Sequence, residues 1–279
     1  MTIRRSSLLW LFLLFFVFPS RGSTQSVPAN RFKASPGLAI TDAGSWKVIQ
    51  KGAEFRKVTL ERAEPPYQLD LKLVRFDLRW IVPRVVRSLQ YNLKSADVRT
   101  LAEKSGALAM INANYFDENG KPLGFLKVGA DEINANISRS ELYTGIFTVK
   151  DRVPSIVQRD EFVPHQADEA LQVGPLLLAK GSPLTVTRGA ERQSRRSVIG
   201  IDADRKLIVA VTDTLFGGLN WVELQEFFGS AQWHAQVFDL LNLDGGGSAQ
   251  LYLRGGKFEE YVAGTAEVPV AIGFFQRTP

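Results

Sequence analysis

The sequence predicts one mixed α/β (α+β) domain, in which a central mixed, twisted β-sheet is flanked by a few helices. Three observations predict it. Apolar runs of strand length recur along the chain, only two segments have helical spacing, and no linker, internal repeat or low-complexity block divides the chain. The 279 residues are 45% hydrophobic and 23% charged, which is ordinary globular usage and argues against a disordered or multi-span membrane protein.

The N-terminus has the layout of a secretory signal peptide. Arg4 and Arg5 precede an unbroken apolar run over 8–18, and small or polar residues follow over 20–26. A run of this length is too short for a bilayer core, which needs about 20 apolar residues. We therefore expect 1–25 to be removed, leaving a periplasmic or secreted protein with no stable membrane insertion. An uncleaved anchor is the alternative.

Charge and rare residues exclude several function classes. The net charge of +5 falls to about +2 if Arg4, Arg5 and Arg21 leave with the signal, so we do not expect nucleic acid as a partner. The chain has no cysteine, which excludes disulfides, thiolate metal sites and a cysteine nucleophile. Two histidines are too few for a three-histidine metal centre.

Patterns typical of strands and helices follow one another along the chain. Residues 26–45 are rich in Pro, Ser, Gly and Ala and predict a flexible lead-in, so we expect the domain to span 46–279. The first strand is predicted by alternation over 67–75, and the first helix by the spacing over 95–106, with Ser95 as N-cap. Further apolar runs predict strands at 107–111, 146–149, 176–179, 198–201, 207–211 and 268–275.

A second helix is predicted over 220–229. Asn220 and Glu223 have the spacing of a capping box, in which each residue's side chain accepts a hydrogen bond from the other's backbone amide.

The most specific segment is LNLDGGGSAQLYL at 241–253. An apolar lead-in precedes a group of candidate ligand-binding residues, which are Asn242, Asp244, Gly245, Gly246, Gly247 and Ser248. Consecutive glycines allow backbone amides to surround an anion, whereas the alternative is a tight turn between two strands. The segment lacks the endings of a P-loop, a nucleophile elbow or a Rossmann fingerprint.

Two other groups of polar residues adjoin predicted strands. Asn112 and Asn114 alternate onto one face after the strand at 107–111, followed by Asp117, and such amides suit sugar hydroxyls. Asp117 also has the sequence context of a turn residue, which is the alternative.

Arg195 and Arg196 precede the predicted strand at 198–201, and Asp213 follows the one at 207–211. An arginine at a sheet end can bind a phosphate through two parallel hydrogen bonds. The alternative is a solvated arginine pair.

Taken in order, four segments resemble the phosphodiester glycosidase family. They are INANYFDENGKPLG at 111–124, ALQVGPLLLAKGSP at 170–183, RRSVIGID at 195–202 and LLNLDGGGSAQLYL at 240–253. In one departure, Ala113 and Asn114 stand where the family commonly has paired glycines before its aromatic pair. The resemblance implies an α-N-acetylglucosaminidase-like hydrolase that cleaves a sugar-1-phosphodiester, or a related envelope or exopolysaccharide glycoside.

The resemblance also implies roles for the candidate residues. Asp244 would be the base or nucleophile, and Asp213 or Asp117 a second carboxylate. Arg196, and less so Arg195, would bind phosphate together with the glycine amides. The asparagines Asn112, Asn114 and Asn242 would orient the sugar.

Two alternatives to this mechanism stay open. Asp244, Asp117 or Asp213 could hold a divalent cation such as Ca²⁺ or Mg²⁺ through oxygen ligands. The protein could also be a non-catalytic periplasmic module that binds carbohydrates or phosphodiesters.

Overall fold

The computed structural model describes residues 30–277, so the predicted signal peptide lies outside the described residues. Within that range the chain forms two α-helices, α1 (Val98–Ser105) and α2 (Trp221–Gly229), and nineteen strands. The strands are β1 (Leu38–Asp42), β2 (Lys47–Gln50), β3 (Ala53–Arg62), β4 (Tyr67–Phe76), β5 (Ile81–Arg87), β6 (Ala109–Asn112), β7 (Leu126–Val128), β8 (Asp131–Asn134), β9 (Gly145–Lys150), β10 (Val153–Gln158), β11 (Glu169–Val173), β12 (Leu176–Ala179), β13 (Ser182–Pro183), β14 (Ser197–Ile201), β15 (Leu207–Asp213), β16 (Asp239–Asn242), β17 (Leu251–Gly255), β18 (Phe258–Val262) and β19 (Val270–Gln276).

The strands form three sheets. The first has the order β1-β3-β4-β15-β14-β16-β12-β13, with β2 also paired to β3; the second is β10-β9-β11-β7-β8; the third is β18-β17-β6-β19-β5. Every pairing among them is antiparallel. The prediction of one central mixed sheet flanked by helices is therefore wrong in its architecture. Parallel pairing needs crossovers of a dozen or more residues, whereas most consecutive strands here are joined by short turns.

The predicted elements are found with shifted boundaries. The alternation over 67–75 corresponds to β4, in which Leu69, Leu71 and Leu73 are buried. Helix α1 begins later than predicted, because Asp97 rather than Ser95 caps it: the Asp97 carboxylate accepts the Thr100 amide at 2.9 Å.

The second helix is confirmed. The Asn220 side chain accepts the Glu223 amide and the Glu223 carboxylate accepts the Asn220 amide, each at 2.9 Å, which is the predicted capping box.

The folded region starts before residue 46. Part of the predicted lead-in forms β1, which pairs with β3. Phe32 is fully buried, and its ring stacks on Trp233 at 4.6 Å between centroids. The composition of 26–45 is typical of a loop, but burial of a single aromatic side chain and pairing to a sheet edge hold the segment in place.

The main core lies between the three sheets. Phe76 of the first sheet stacks on Phe274 of the third at 4.1 Å, and Phe147 of the second sheet is buried in the same cluster. Among residues 30–277, no helix is long and apolar enough to span a bilayer.

A buried ion pair attaches α2 to the first sheet. Both Glu223 carboxylate oxygens accept the Arg62 guanidinium, at 2.8 and 3.0 Å, and Glu223 is fully buried. The same carboxylate caps α2, so it fixes both the start of the helix and its place on the sheet.

We expect Glu223→Ala to lower the free energy of unfolding by about 3 to 5 kcal/mol, because it leaves a buried guanidinium without its partner. Denaturant unfolding measures this loss. The matched control is Asp160→Ala, which removes the exposed partner of Arg139 and should cost less than about 1 kcal/mol. Equal losses in the two variants would show that the Arg62–Glu223 pair does not stabilise the fold in this way.

Candidate functional site

The ends of three strands meet at Asp244. Strand β16 leads into it, and the Asp244 amide donates to the Ala113 carbonyl, just beyond β6, at 2.9 Å. The preceding Leu243 amide donates to Ser197 at the start of β14 at 2.8 Å. The segments around Asn112, Arg196 and Asp244, which are far apart in sequence, are therefore brought together by the fold.

Asn112 holds these segments in place. Its Nδ2 donates to the Asp244 carbonyl at 2.6 Å, and its Oδ1 accepts the Ser197 hydroxyl at 2.7 Å and the Gln250 amide at 3.1 Å. The side chain is fully buried. In this structure Asn112 orients the backbone around Asp244, which differs from the expected contact with a sugar.

Asn242 is engaged in the same way. Its Nδ2 donates to the Gly174 carbonyl at 2.9 Å and to the Tyr115 hydroxyl at 3.2 Å, and its Oδ1 accepts the Trp221 indole N–H at 3.1 Å. The predicted sugar-orienting residue is thus a buried connection between two aromatic side chains.

The Asp244 carboxyl is the most strongly perturbed acid of this site. Burial raises its pKa to about 6, against hydrogen bonds from the Ser248 hydroxyl and the Gly245 amide, which lower it. The Gly245 amide donates to Asp244 Oδ1 at 2.8 Å. A carboxyl group with this pKa gains or loses its proton near neutral pH, as general acids and bases do.

The three glycines allow a close approach of two chain segments. A Cβ on Gly245 would lie 2.8 Å from the Arg195 carbonyl oxygen, and one on Gly247 would lie 2.7 Å from Thr265 Oγ1. Gly246 has φ +60° and donates its amide to the Arg195 carbonyl at 2.9 Å. Two of the three amides expected to bind phosphate therefore already have intramolecular acceptors.

Arg196 is buried beside this loop. Its Nε donates to the Leu219 carbonyl at 2.9 Å, its Nη2 donates to the Arg192 carbonyl, and its guanidinium carbon lies 4.7 Å from the centre of the Trp221 ring. Burial lowers its pKa to about 10, which still leaves a cation at neutral pH. These contacts fix the guanidinium in a dry environment, where its charge acts strongly on a neighbouring anion.

Arg195 points elsewhere. Its Nη2 donates to the Ala249 and Ala263 carbonyls at 2.8 and 2.6 Å, and burial lowers the pKa of its guanidinium. Its Nε is buried and has no hydrogen-bond partner in the described residues. Arg195 therefore ties the glycine loop to the segment after β18.

The other two predicted carboxylates do not join Asp244. Asp213 pairs with Lys72 at 2.7 Å and is 42% exposed. Asp117 accepts the Asn119 and Lys121 amides of its own turn, each at 2.9 Å, as the turn alternative proposed. Within residues 30–277 no three acidic or histidine side chains converge as metal ligands.

The site also contains three aromatic side chains that the sequence did not predict, Tyr115, Tyr143 and Trp221. Tyr115 donates its hydroxyl to the Gly174 carbonyl at 2.6 Å and stacks on Tyr143 at 5.2 Å. Burial, and then the charge of Asp244, raises the pKa of both tyrosines, while Arg196 acts in the opposite direction on Tyr115. Tyr115 directly follows Asn112 to Asn114 in the first of the four family-like segments, whereas Tyr143 and Trp221 lie in none of the four.

Asn114 differs from the other two asparagines. Its Nδ2 donates to the Tyr115 carbonyl at 2.9 Å, but its Oδ1 is buried and has no partner in the described part of the chain. A buried polar atom without a partner is costly, so a ligand that donates to it would be favoured.

Comparisons with known proteins agree with the motifs. The sequence profile of the phosphodiester glycosidase family matches residues 105–275. No curated protein sequence matches the chain.

Two solved structures share the fold. The zebrafish N-acetylglucosamine-1-phosphodiester α-N-acetylglucosaminidase catalytic domain, auto-inhibited by its pro-peptide, has a TM-score of 0.63 and 16% identity, covering 86% of this chain and 88% of that one. A hypothetical protein from Synechocystis has a TM-score of 0.64 and 16% identity, covering 84% of this chain and 64% of that one. This chain thus spans slightly under two thirds of the Synechocystis protein.

The profile match covers more than half of the chain, and it includes the segments that carry Asn112, Arg196 and Asp244. The protein belongs to the phosphodiester glycosidase family.

Proposed function

We propose that this protein is an exported hydrolase that cleaves the glycosidic bond of a sugar-1-phosphodiester, giving a free sugar and a phosphomonoester. The observation that carries the proposal is the buried Asp244 carboxyl, with a pKa of about 6, in the same polar cluster as the buried cation of Arg196. Tyr115 links them, because its hydroxyl group is within electrostatic reach of both charges.

One carboxylate is enough for this reaction. Most glycosidases use a second carboxyl group to protonate the leaving oxygen. A phosphomonoester has a second pKa of about 6, so it departs with little protonation at neutral pH. Asp244 would activate water, or attack the anomeric carbon itself, while Arg196 neutralises the charge on the departing phosphate. The positions of Asp117 and Asp213, each engaged elsewhere, favour this scheme.

The sugar would lie against Asn114 and Tyr143. The buried Oδ1 of Asn114 can accept a hydrogen bond from a sugar hydroxyl or from an acetamido N–H. The zebrafish relative acts on N-acetylglucosamine-1-phosphodiesters by its name, which makes an N-acetylated sugar the first substrate to test. The signal-like N-terminus supports a periplasmic or secreted location, where envelope polymers and exopolysaccharides carry such linkages.

Turnover is the first test. We expect the purified protein to release a reducing sugar from synthetic sugar-1-phosphodiesters, and Asp244→Asn to lower kcat by at least about a thousandfold with binding retained, because the only proposed base or nucleophile is lost. A reducing-sugar assay measures the rate, and calorimetry with the slowly cleaved variant measures binding.

The matched controls are Asp117→Asn and Asp213→Asn, which should keep kcat within about threefold of the wild type. A comparable loss in either control would show that a second carboxylate takes part. Binding without cleavage across a broad panel of diesters and exopolysaccharide glycosides would favour the non-catalytic module.

The pH dependence of kcat should follow Asp244. Its carboxylate must be unprotonated to act, so we expect kcat to rise with pH through about 6 and then reach a plateau. Steady-state rates between pH 4.5 and 8.5 measure this. A rate that falls through pH 6 would instead identify Asp244 as the acid.

Stability provides a readout that does not depend on turnover. The Asp244 carboxyl has a pKa near the ordinary value of 3.8 in the unfolded chain and of about 6 in the folded protein. Between these two pH values the folded state binds more protons, so the free energy of unfolding of the wild type falls as the pH rises. The loss approaches about 3 kcal/mol. Asp244→Asn has no carboxyl group to titrate at this position and therefore lacks this loss. The free energy of unfolding of the variant relative to the wild type should thus increase as the pH rises from about 4 to about 6.

Arg196 should act mainly on binding. We expect Arg196→Ala to raise KM by at least about tenfold, because the cation that holds the phosphate is removed. Arg196→Lys keeps the positive charge but loses the planar contact with Trp221, so its affinity for substrate should lie between those of Arg196→Ala and the wild type. An unchanged KM in both variants would contradict the phosphate role.

A further inference from the structure

A cavity of about 670 Å³ lined by charged side chains lies apart from the Asp244 site, and we call it the distal pocket. It is lined by five cationic side chains, which are Arg79, Arg152, Arg205, Lys206 and Arg277. Two carboxylates also face it, Asp77 and Asp204. The pocket therefore has a clear excess of positive charge.

Strand directions place the distal pocket at the opposite end of the molecule. Strand β14 starts beside Arg196 and ends at the hairpin that carries Arg205. Strand β9 starts beside Tyr143 and ends at the turn that carries Arg152. Strand β19 starts opposite Asn112 and ends at Arg277. These strands of five to seven residues separate the two sites by roughly 20 Å.

Few of the cations in the distal pocket form close ion pairs, although the charge of Lys206 favours the ionised form of the Asp77 and Asp202 carboxyl groups. Arg79 binds the Asp77 carboxylate, with a shortest distance of 2.6 Å. In the described residues the other four cations make no ion pair. Arg277 donates Nη2 to the Leu78 carbonyl at 3.2 Å, but its Nε is buried and has no hydrogen-bond partner among residues 30–277. An N–H group buried in this way is expected to have an acceptor.

Two of these arginines occupy backbone positions that favour glycine. Arg152 has φ +65° in the two-residue turn between β9 and β10, where Asp151 has φ +50°. Arg205 has φ +60° in the hairpin between β14 and β15. Turns of these kinds prefer glycine or asparagine there, because a Cβ is strained in the left-handed region. Both of these turns place an arginine at the border of the same pocket.

We propose that the distal pocket binds a phosphate-bearing anion. Guanidinium groups from two hairpin tips and from the end of β19 surround it, and each can form paired hydrogen bonds with phosphate oxygens. The phosphate belongs either to a soluble phosphorylated compound or to the headgroup of an anionic lipid. Occupancy would hold the protein by this end, with the Asp244 site facing away.

The left-handed backbone at Arg152 and Arg205 allows substitutions that remove the charge without destabilising the turn. Arg152→Gly, Arg205→Gly and the double variant remove the cations but relieve the left-handed backbone, so they should be at least as thermally stable as the wild type. Calorimetry with sodium pyrophosphate should show at least threefold weaker binding to the distal pocket in each single variant, and at least tenfold in the double variant. A second arm measures co-sedimentation with phosphatidylcholine vesicles that do or do not contain phosphatidylglycerol.

The matched control is Lys180→Gly, which removes one cation from a hairpin position at φ +52° that does not line the pocket. It should bind within twofold of the wild type, and turnover of a small diester should be unchanged in every variant. Loss of pyrophosphate binding supports a soluble phosphate ligand, and loss of phosphatidylglycerol-dependent sedimentation supports a lipid headgroup. Wild type that binds neither probe, or variants that bind both as well as wild type, would overturn the proposal.

Discussion

The side-chain amide of Asn112 joins three segments of the chain at the point where the ends of three strands meet. It donates to the Asp244 carbonyl and accepts from Ser197 and Gln250, all within buried surroundings. A buried amide is tolerated only when its hydrogen bonds are made, so these contacts are tightly specified. The position of Asp244, the path of the glycine loop and the start of β14 all depend on this one side chain.

Burial then gives the site its chemistry. The same packing that removes water from Asp244 raises the pKa of its carboxyl group, while Arg196 remains charged because carbonyl groups and the Trp221 ring surround its guanidinium. Holding two such groups in a dry cluster opposes stability, which other contacts must offset. The aromatic packing between the sheets provides such contacts away from the site.

The two ends of the sheets carry different chemistry. At one end, most polar side chains form hydrogen bonds with other protein groups, and Asp244 is the proposed reactive carboxylate. At the other end, four cations of the distal pocket form no ion pair within residues 30–277, and two of them lie in turns with a left-handed backbone. Antiparallel strands place alternate connections at opposite ends, so a single fold can present two separate polar surfaces.

The sequence by itself determined the local features. Short-range rules predicted the capping box of α2 and the alternation in β4, because each depends on neighbouring residues. The motifs also identified Asp244 and Arg196 as candidate members of one site and indicated the family.

Only the tertiary structure decided how the strands pair and what each polar residue contacts. Short apolar runs fit parallel and antiparallel sheets alike, so the three-sheet architecture could not be read from them. Asn112 and Asn114 share one predicted strand face, yet Asn112 binds the Asp244 backbone, whereas Asn114 keeps a buried acceptor that has no partner in the described part of the chain. Tyr143 and Trp221 entered the site without any motif, because contacts between residues distant in sequence depend on how the sheets pack.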